Sequence, residues 1–86
     1  MSNTEAVKTR EEIISGAVEA RVQEVMHYQI NIDNYTLALE EIILLPASER
    51  AELSAFVEQL TSLLASEKIE QKKAKIMLSV MRKQVE

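Results

Sequence analysis

A single proline near the middle of the chain constrains the fold more than any other residue. Pro46 lies in the segment LLPASER, residues 44–50, of a chain that has one proline and one glycine. Because proline has no backbone N–H and disfavours helix at the residue before it, a first helix should end near Leu44. Pro46 suits the first turn of a second helix, which Ser48 can cap. The sequence therefore predicts two helical arms joined by a turn at about residues 45–48.

Apolar residues recur every seven positions in both arms, as in helices that pack along a seam. We predict a first helix at about residues 5–44 and a second at about 48–84, in one helical domain that covers residues 1–86. Each arm has two interleaved series of seam positions. They are Ile14, Val18, Arg21, Val25, Tyr28, Ile32, Tyr35, Leu39 and Ile42 in the first arm, and Leu53, Val57, Leu60, Leu64, Glu67, Gln71, Ala74, Leu78, Met81 and Val85 in the second.

The few polar seam positions predict how the arms align. If the arms fold back about Pro46, residues whose numbers add up to about 92 face each other, as in a helical hairpin. Arg21 then lies beside Gln71, and Val25 beside Glu67. We therefore predict that Arg21, Glu67 and Gln71 form a polar layer that sets the register. The competing interpretation is a compact monomer of three or four helices, with breaks near ASEK at residues 65–68 or NIDN at residues 31–34.

Both arms also carry apolar residues outside the seam, which a two-helix hairpin cannot cover. A chain of 86 residues without cysteine needs another source of stability, and self-association supplies one. We predict an all-α fold, an antiparallel hairpin of two long helices that pairs into a homodimeric four-helix bundle or a larger assembly. The residues outside the seam are Met26, Ile30, Leu37, Leu44, Phe56, Leu63, Ile69, Ile76 and Met77. The predicted oligomer or partner interface consists of Tyr28, Ile32, Tyr35, Leu39, Phe56, Leu60 and Leu63.

The sequence contains no pattern typical of an enzyme or a metal site. Glu24 and His27 have the Glu-x-x-His spacing of di-iron bundles, but the heptad register turns His27, the only histidine, away from the seam. Gly16 is the only glycine, so a glycine-rich phosphate loop is excluded. We predict a non-enzymatic protein without cofactor or metal.

The chain also lacks the marks of a secreted or membrane protein. The N-terminal residues do not place an apolar region after a charged one, so we predict no signal peptide. The longest apolar run is IILL at residues 42–45, which is far too short to span a bilayer. Because small secreted domains are usually rich in cysteine, the sequence favours the cytoplasm.

The one basic segment of the chain is KIEQKKAKIMLSVMRK, residues 68–83. Such a run can contact nucleic-acid phosphates, or it can be a solvated helix face that complements an acidic first arm. A net charge of −4 and an isoelectric point of about 5.0 favour the solvated face. The residues of this possible basic patch are Lys72, Lys73, Lys75, Arg82 and Lys83.

The stretch LALEEIILLPASERAELSAFVEQL, residues 37–60, resembles the bend region of helical hairpins of the Rop family of plasmid-copy-number regulators. The resemblance implies a dimeric four-helix bundle. That family binds RNA through a basic first helix, whereas the first arm here is acidic, so no functional residue is carried over. We therefore predict a self-associating module that binds another protein as a small regulator, adaptor or inhibitor. The alternative is a nucleic-acid-binding hairpin that uses the basic segment.

Overall fold

The computed structural model describes residues 9–85 as a helical hairpin without strands in that range. The elements are α1 (Arg10–Ile43), a short α2 (Ala47–Glu52) and α3 (Ser54–Val85). The two long helices α1 and α3 pack against each other, so the predicted all-α class and hairpin architecture are confirmed. Residues 5–8 of the predicted first helix lie outside the described range. Within residues 9–85, no helix combines the length and the apolar character needed to cross a membrane.

A side-chain cap marks the start of α1, and both long helices are unbroken. The hydroxyl of Thr9 accepts a hydrogen bond from the N–H of Glu12 at 3.2 Å, which caps the first turn. Further along, α1 runs unbroken through residues 31–34, and the Thr36 hydroxyl donates to the Ile32 carbonyl at 2.8 Å. Helix α3 likewise runs unbroken through residues 65–68. The competing interpretation of a compact bundle of short helices is therefore wrong.

The chain reverses in a corner that starts at the end of α1. The N–H groups of Leu44 and Leu45 bond to carbonyls three residues back, at 3.1 Å each, so the last turn tightens. The carbonyl of Pro46 then accepts hydrogen bonds from the N–H groups of Glu49 and Arg50, both at 3.0 Å. Pro46 is thus the N-cap residue of α2, which has no side-chain cap. The cap predicted at Ser48 is wrong, since Ser48 lies inside α2.

The corner is longer than the sequence predicted, and this shifts the register of the hairpin. One continuous second helix was expected, but α2 and α3 are separated at Leu53, whose N–H bonds to the carbonyl of Arg50 three residues back at 3.1 Å. The reversal therefore extends through α2 instead of centring on Pro46. As a result, Gln71 lies opposite Val25 and Gln29, one to two helical turns from the predicted position beside Arg21.

The core of the hairpin is a narrow line between α1 and α3. Every buried residue in the described range occupies a predicted seam position, because residues at heptad spacing share one side of a helix. Ala74 is the most deeply buried of them, at 2% exposure, and its small side chain leaves room for α1. The buried residues are Ile32, Ile42, Leu60, Gln71, Ala74 and Leu78.

Candidate interaction surfaces

One side of α3 presents an exposed line of large apolar residues, which we call the α3 ridge: Phe56, Leu63, Met77 and Val80. Each of the four precedes a seam position by one residue, so the ridge lies directly beside the seam. All four side chains are between 39% and 45% exposed. Glu70 occupies the same heptad position between Leu63 and Met77, so it divides the ridge into two apolar parts. Exposed apolar groups of this kind often mark binding surfaces, so the α3 ridge is a candidate binding surface.

The open end of the hairpin also has a shallow groove where α1 contributes small residues. This groove has a volume of about 240 Å³. The alanines leave space next to α3 that larger side chains would fill, so the side chain of another helix could enter there. The lining residues are Ala17, Ala20, Arg21, Glu24 and Met81.

A second apolar line, the α1 stripe, consists of Met26, Ile30, Leu37 and Leu44. Ile30 and Leu37 each lie two residues before a seam position, about 200° around the helix, so the stripe faces away from α3. All four residues are exposed, and Leu44 at the corner is 77% exposed. Each long helix of the hairpin therefore has an exposed apolar surface.

The structure divides the seven predicted interface residues into three groups by exposure. Ile32 and Leu60 are buried between α1 and α3 of the same chain, so a partner cannot reach them in this structure. Only Phe56 and Leu63 lie on an outer surface, where they belong to the α3 ridge. The remaining three, Tyr28, Tyr35 and Leu39, are half-buried at seam positions.

A buried amide links the two long helices near their middle. The Nε2 of Gln71 donates to the Val25 carbonyl at 3.3 Å and to the Oε1 of Gln29 at 2.9 Å. The Nε2 of Gln29 in turn donates to Asp33 at 2.9 Å within α1. Since Gln71 is 7% exposed, these bonds satisfy a polar group inside the seam and favour this one register.

The other two residues of the predicted polar layer do not join Gln71. The guanidinium of Arg21 bonds to Glu24 within α1 at 2.8 Å. Glu67 is half-buried at its seam position, and its Oε2 has no hydrogen-bond partner within residues 9–85. Because the register differs by one to two turns, Gln29 takes the place predicted for Arg21. Sequence reasoning missed Gln29 because it lies outside the a and d positions.

Replacing Gln71 tests whether this residue fixes the register of α1 against α3 without adding much to the stability of the fold. We expect Gln71→Leu to leave the free energy of unfolding within about 1 kcal/mol of wild type, since an apolar side chain of similar size fills the seam. Gln71→Ala should lower it by roughly 2 kcal/mol, because it removes both the bonds and the packing. Urea denaturation at one protein concentration measures both. A larger loss for leucine than for alanine would contradict this account.

Three of the five residues of the possible basic patch line one groove at the open end. Lys75, Arg82 and Lys83 surround a space of about 470 Å³, together with Val25, Leu78 and Ser79. Arg82 and Lys83 lie in the last turn of α3, where positive charge stabilises the helix dipole. The other two residues of the patch, Lys72 and Lys73, are exposed, and Lys73 pairs with Glu70 at 3.4 Å.

The Glu-x-x-His pair is not part of a cluster of metal-binding side chains. Glu24 bonds to Arg21, and His27 is exposed on α1. Within residues 9–85, no three histidine, cysteine, aspartate or glutamate side chains are grouped so that they could hold a metal ion.

Comparisons with known proteins identify no relative. No protein-family model, no curated protein and no solved structure matches the chain. The likeness of residues 37–60 to Rop-type hairpins is therefore a likeness of the bend alone, and the surfaces described above are the basis for a functional proposal.

Proposed function

We propose that this protein is a non-enzymatic interaction module that self-associates and binds another protein as a small regulator, adaptor or inhibitor. The observation that supports this is the distribution of apolar residues. In the described range, five apolar residues are buried, whereas thirteen large ones are exposed. A lone hairpin leaves these thirteen side chains exposed to water, and a second hairpin would cover those on the side where it packs.

The size of the hairpin suits a homodimeric four-helix bundle. Helix α3 has 32 residues, so it is about 48 Å long, and two helices side by side are roughly 20 Å wide. One side of the hairpin thus offers on the order of 900 Å², close to the 800 Å² or so that each partner buries in a typical stable interface. The α3 ridge supplies apolar groups on both sides of Glu70 for that contact.

The α1 stripe supports a role beyond self-association. It lies on the side of α1 opposite the seam, so a dimer formed through the α3 ridge leaves it exposed. A stripe with residues at intervals of seven is the pattern by which helices bind other helices. We therefore assign the ridge to self-association and the α1 stripe to a protein partner, which together make an adaptor or inhibitor.

Size-exclusion chromatography with light scattering tests the self-association. At micromolar concentration we expect a mass of about twice the 9.7 kDa of one chain. A particle of 9.7 kDa whose mass does not change with concentration would refute the proposed self-association.

Affinity capture tests whether the α1 stripe binds a protein partner, with the variant Leu37→Glu as the control. Specific partners should be captured by the wild-type chain and lost from the variant.

Nucleic-acid binding is a second candidate, favoured by the groove that Lys75, Arg82 and Lys83 line. It predicts binding to RNA or DNA that weakens steeply with salt, because phosphate contacts release counterions. Replacement of Lys72, Lys73 and Lys75 together with alanine should abolish such binding. Absence of binding at low salt would remove this candidate, and the net charge of −4 already disfavours it.

A further inference from the structure

The charges of the hairpin are segregated between its two ends. The closed end, residues 37–60, has five glutamates and one arginine, a net charge of −4. The open end, residues 9–24 and 68–85, has eight basic and five acidic residues, a net charge of +3. Each hairpin is therefore an electric dipole along its length.

Contacts inside the hairpin leave this separation in place. The ion pairs of the described range are Arg21 with Glu24 and Lys73 with Glu70, at 2.8 and 3.4 Å. Both join residues three apart in one helix, both lie at the open end, and neither crosses from α1 to α3. The glutamates of the closed end form no ion pair within residues 9–85, so their charge is available to a neighbouring molecule.

The apolar surface does not decide how two hairpins align. The α3 ridge extends from Phe56, near the closed end, to Val80, near the open end. Two copies can bury these ridges with their closed ends together or with their closed ends apart. The choice must come from another interaction.

The charges of the two ends favour one relative orientation of the two hairpins. The two ends of α3 are about 48 Å apart, several times the Debye length of about 8 Å at physiological salt. Each end therefore interacts only with the end beside it. A parallel pair would place −4 beside −4 and +3 beside +3, whereas an antiparallel pair places −4 beside +3 at both ends. We propose that two copies of this chain pair antiparallel, with the acidic closed end of each beside the basic open end of the other; this rests on the self-association proposed above.

The absence of cysteine allows a direct test of orientation. Ser48 in α2 is exposed at the closed end, and Ser79 is exposed near the open end. Single variants Ser48→Cys and Ser79→Cys can each carry a nitroxide spin label. Double electron–electron resonance spectroscopy then measures the distance between the two labels of the dimer. In an antiparallel pair, two Ser48 labels should lie about 45 Å apart, since some thirty residues of helix separate the ends.

Mixing the two labelled variants provides the complementary measurement. A heterodimer of the Ser48 and Ser79 variants should show a short distance, below about 25 Å, because these positions then lie at the same end. A short distance between two Ser48 labels in a particle of dimer mass would overturn the antiparallel orientation and leave self-association intact. A monomer mass for both labelled variants would overturn both proposals.

Reversing the charge of the open end tests whether electrostatic attraction determines the antiparallel orientation. Lys72→Glu, Lys73→Glu and Lys75→Glu together change the net charge of the open end from +3 to −3. At low salt we expect the dissociation constant of the dimer to rise at least about tenfold. We also expect a smaller fraction of the dimers to show the long distance between the two Ser48 labels. The matched variant with arginine at the same three positions should behave as wild type. An unchanged dissociation constant in the glutamate variant would contradict the electrostatic cause.

Discussion

Leu60→Ala should lower the free energy of unfolding by about 3 kcal/mol. Leu60 is 5% exposed and lies in the seam between α1 and α3. Truncation removes buried apolar surface and leaves a cavity that two long helices, held together along one narrow line, close only in part. With five buried apolar residues in the described range, one such loss is a large share of the stability of a small domain.

Leu44→Ala is the matched control for this prediction. It makes the same chemical change at a residue that is 77% exposed, so we expect an effect within about 0.5 kcal/mol. Urea denaturation followed by circular dichroism measures both variants, at one protein concentration because association adds to stability. Equal losses for the two variants would show that the line between α1 and α3 is not the core of the hairpin.

The secondary structure was largely predictable because its signals are local. Pro46 ends one helix through its missing N–H, and the heptad series placed the buried residues, from Ile32 to Leu78, on one side of each helix. Neither signal depends on how the chain reverses. The Asn and Asp residues at 31–34 could suggest a turn, but the seam continues through them, and α1 does too.

The register was not predictable, because no local signal marks the break at Leu53. Neither glycine nor proline is near it, and Leu53 itself continues the heptad series. The extra six residues of α2 move Gln71 from Arg21 to Val25 and Gln29. A shift by one to two helical turns still places seam positions opposite seam positions, so the heptad pattern of one sequence does not reveal it.

The division between core and outer surface was predictable only in part. A heptad seam indicates that a helix has a partner, but it does not say whether that partner is the same chain or another. Ile32 and Leu60 were therefore predicted for the interface together with Phe56 and Leu63. The structure shows that the first two pack within one chain, while Phe56 and Leu63 remain on the α3 ridge.

Leu63→Glu should dissociate the dimer. Leu63 lies near the middle of the α3 ridge, and a carboxylate there would be buried without a partner in the proposed interface, at a cost of several kcal/mol. Since each 1.4 kcal/mol corresponds to a factor of ten, we expect the dissociation constant to rise at least about 100-fold. The helix content should be retained, because the side chain is 39% exposed in the single hairpin. Analytical ultracentrifugation over a range of concentrations measures the dissociation constant.

Ala65→Glu separates the effect of position from the effect of charge. Ala65 is exposed on the same helix and lies about 200° around from Leu63, away from the ridge. The Ala65→Glu variant carries the same added charge but places it away from the ridge. We therefore expect its dissociation constant to stay close to that of wild type. If both variants dissociate the dimer equally, charge alone is the cause. If Leu63→Glu stays dimeric while Ile30→Glu does not, the α1 stripe mediates self-association, and the α3 ridge is then the surface left for another protein.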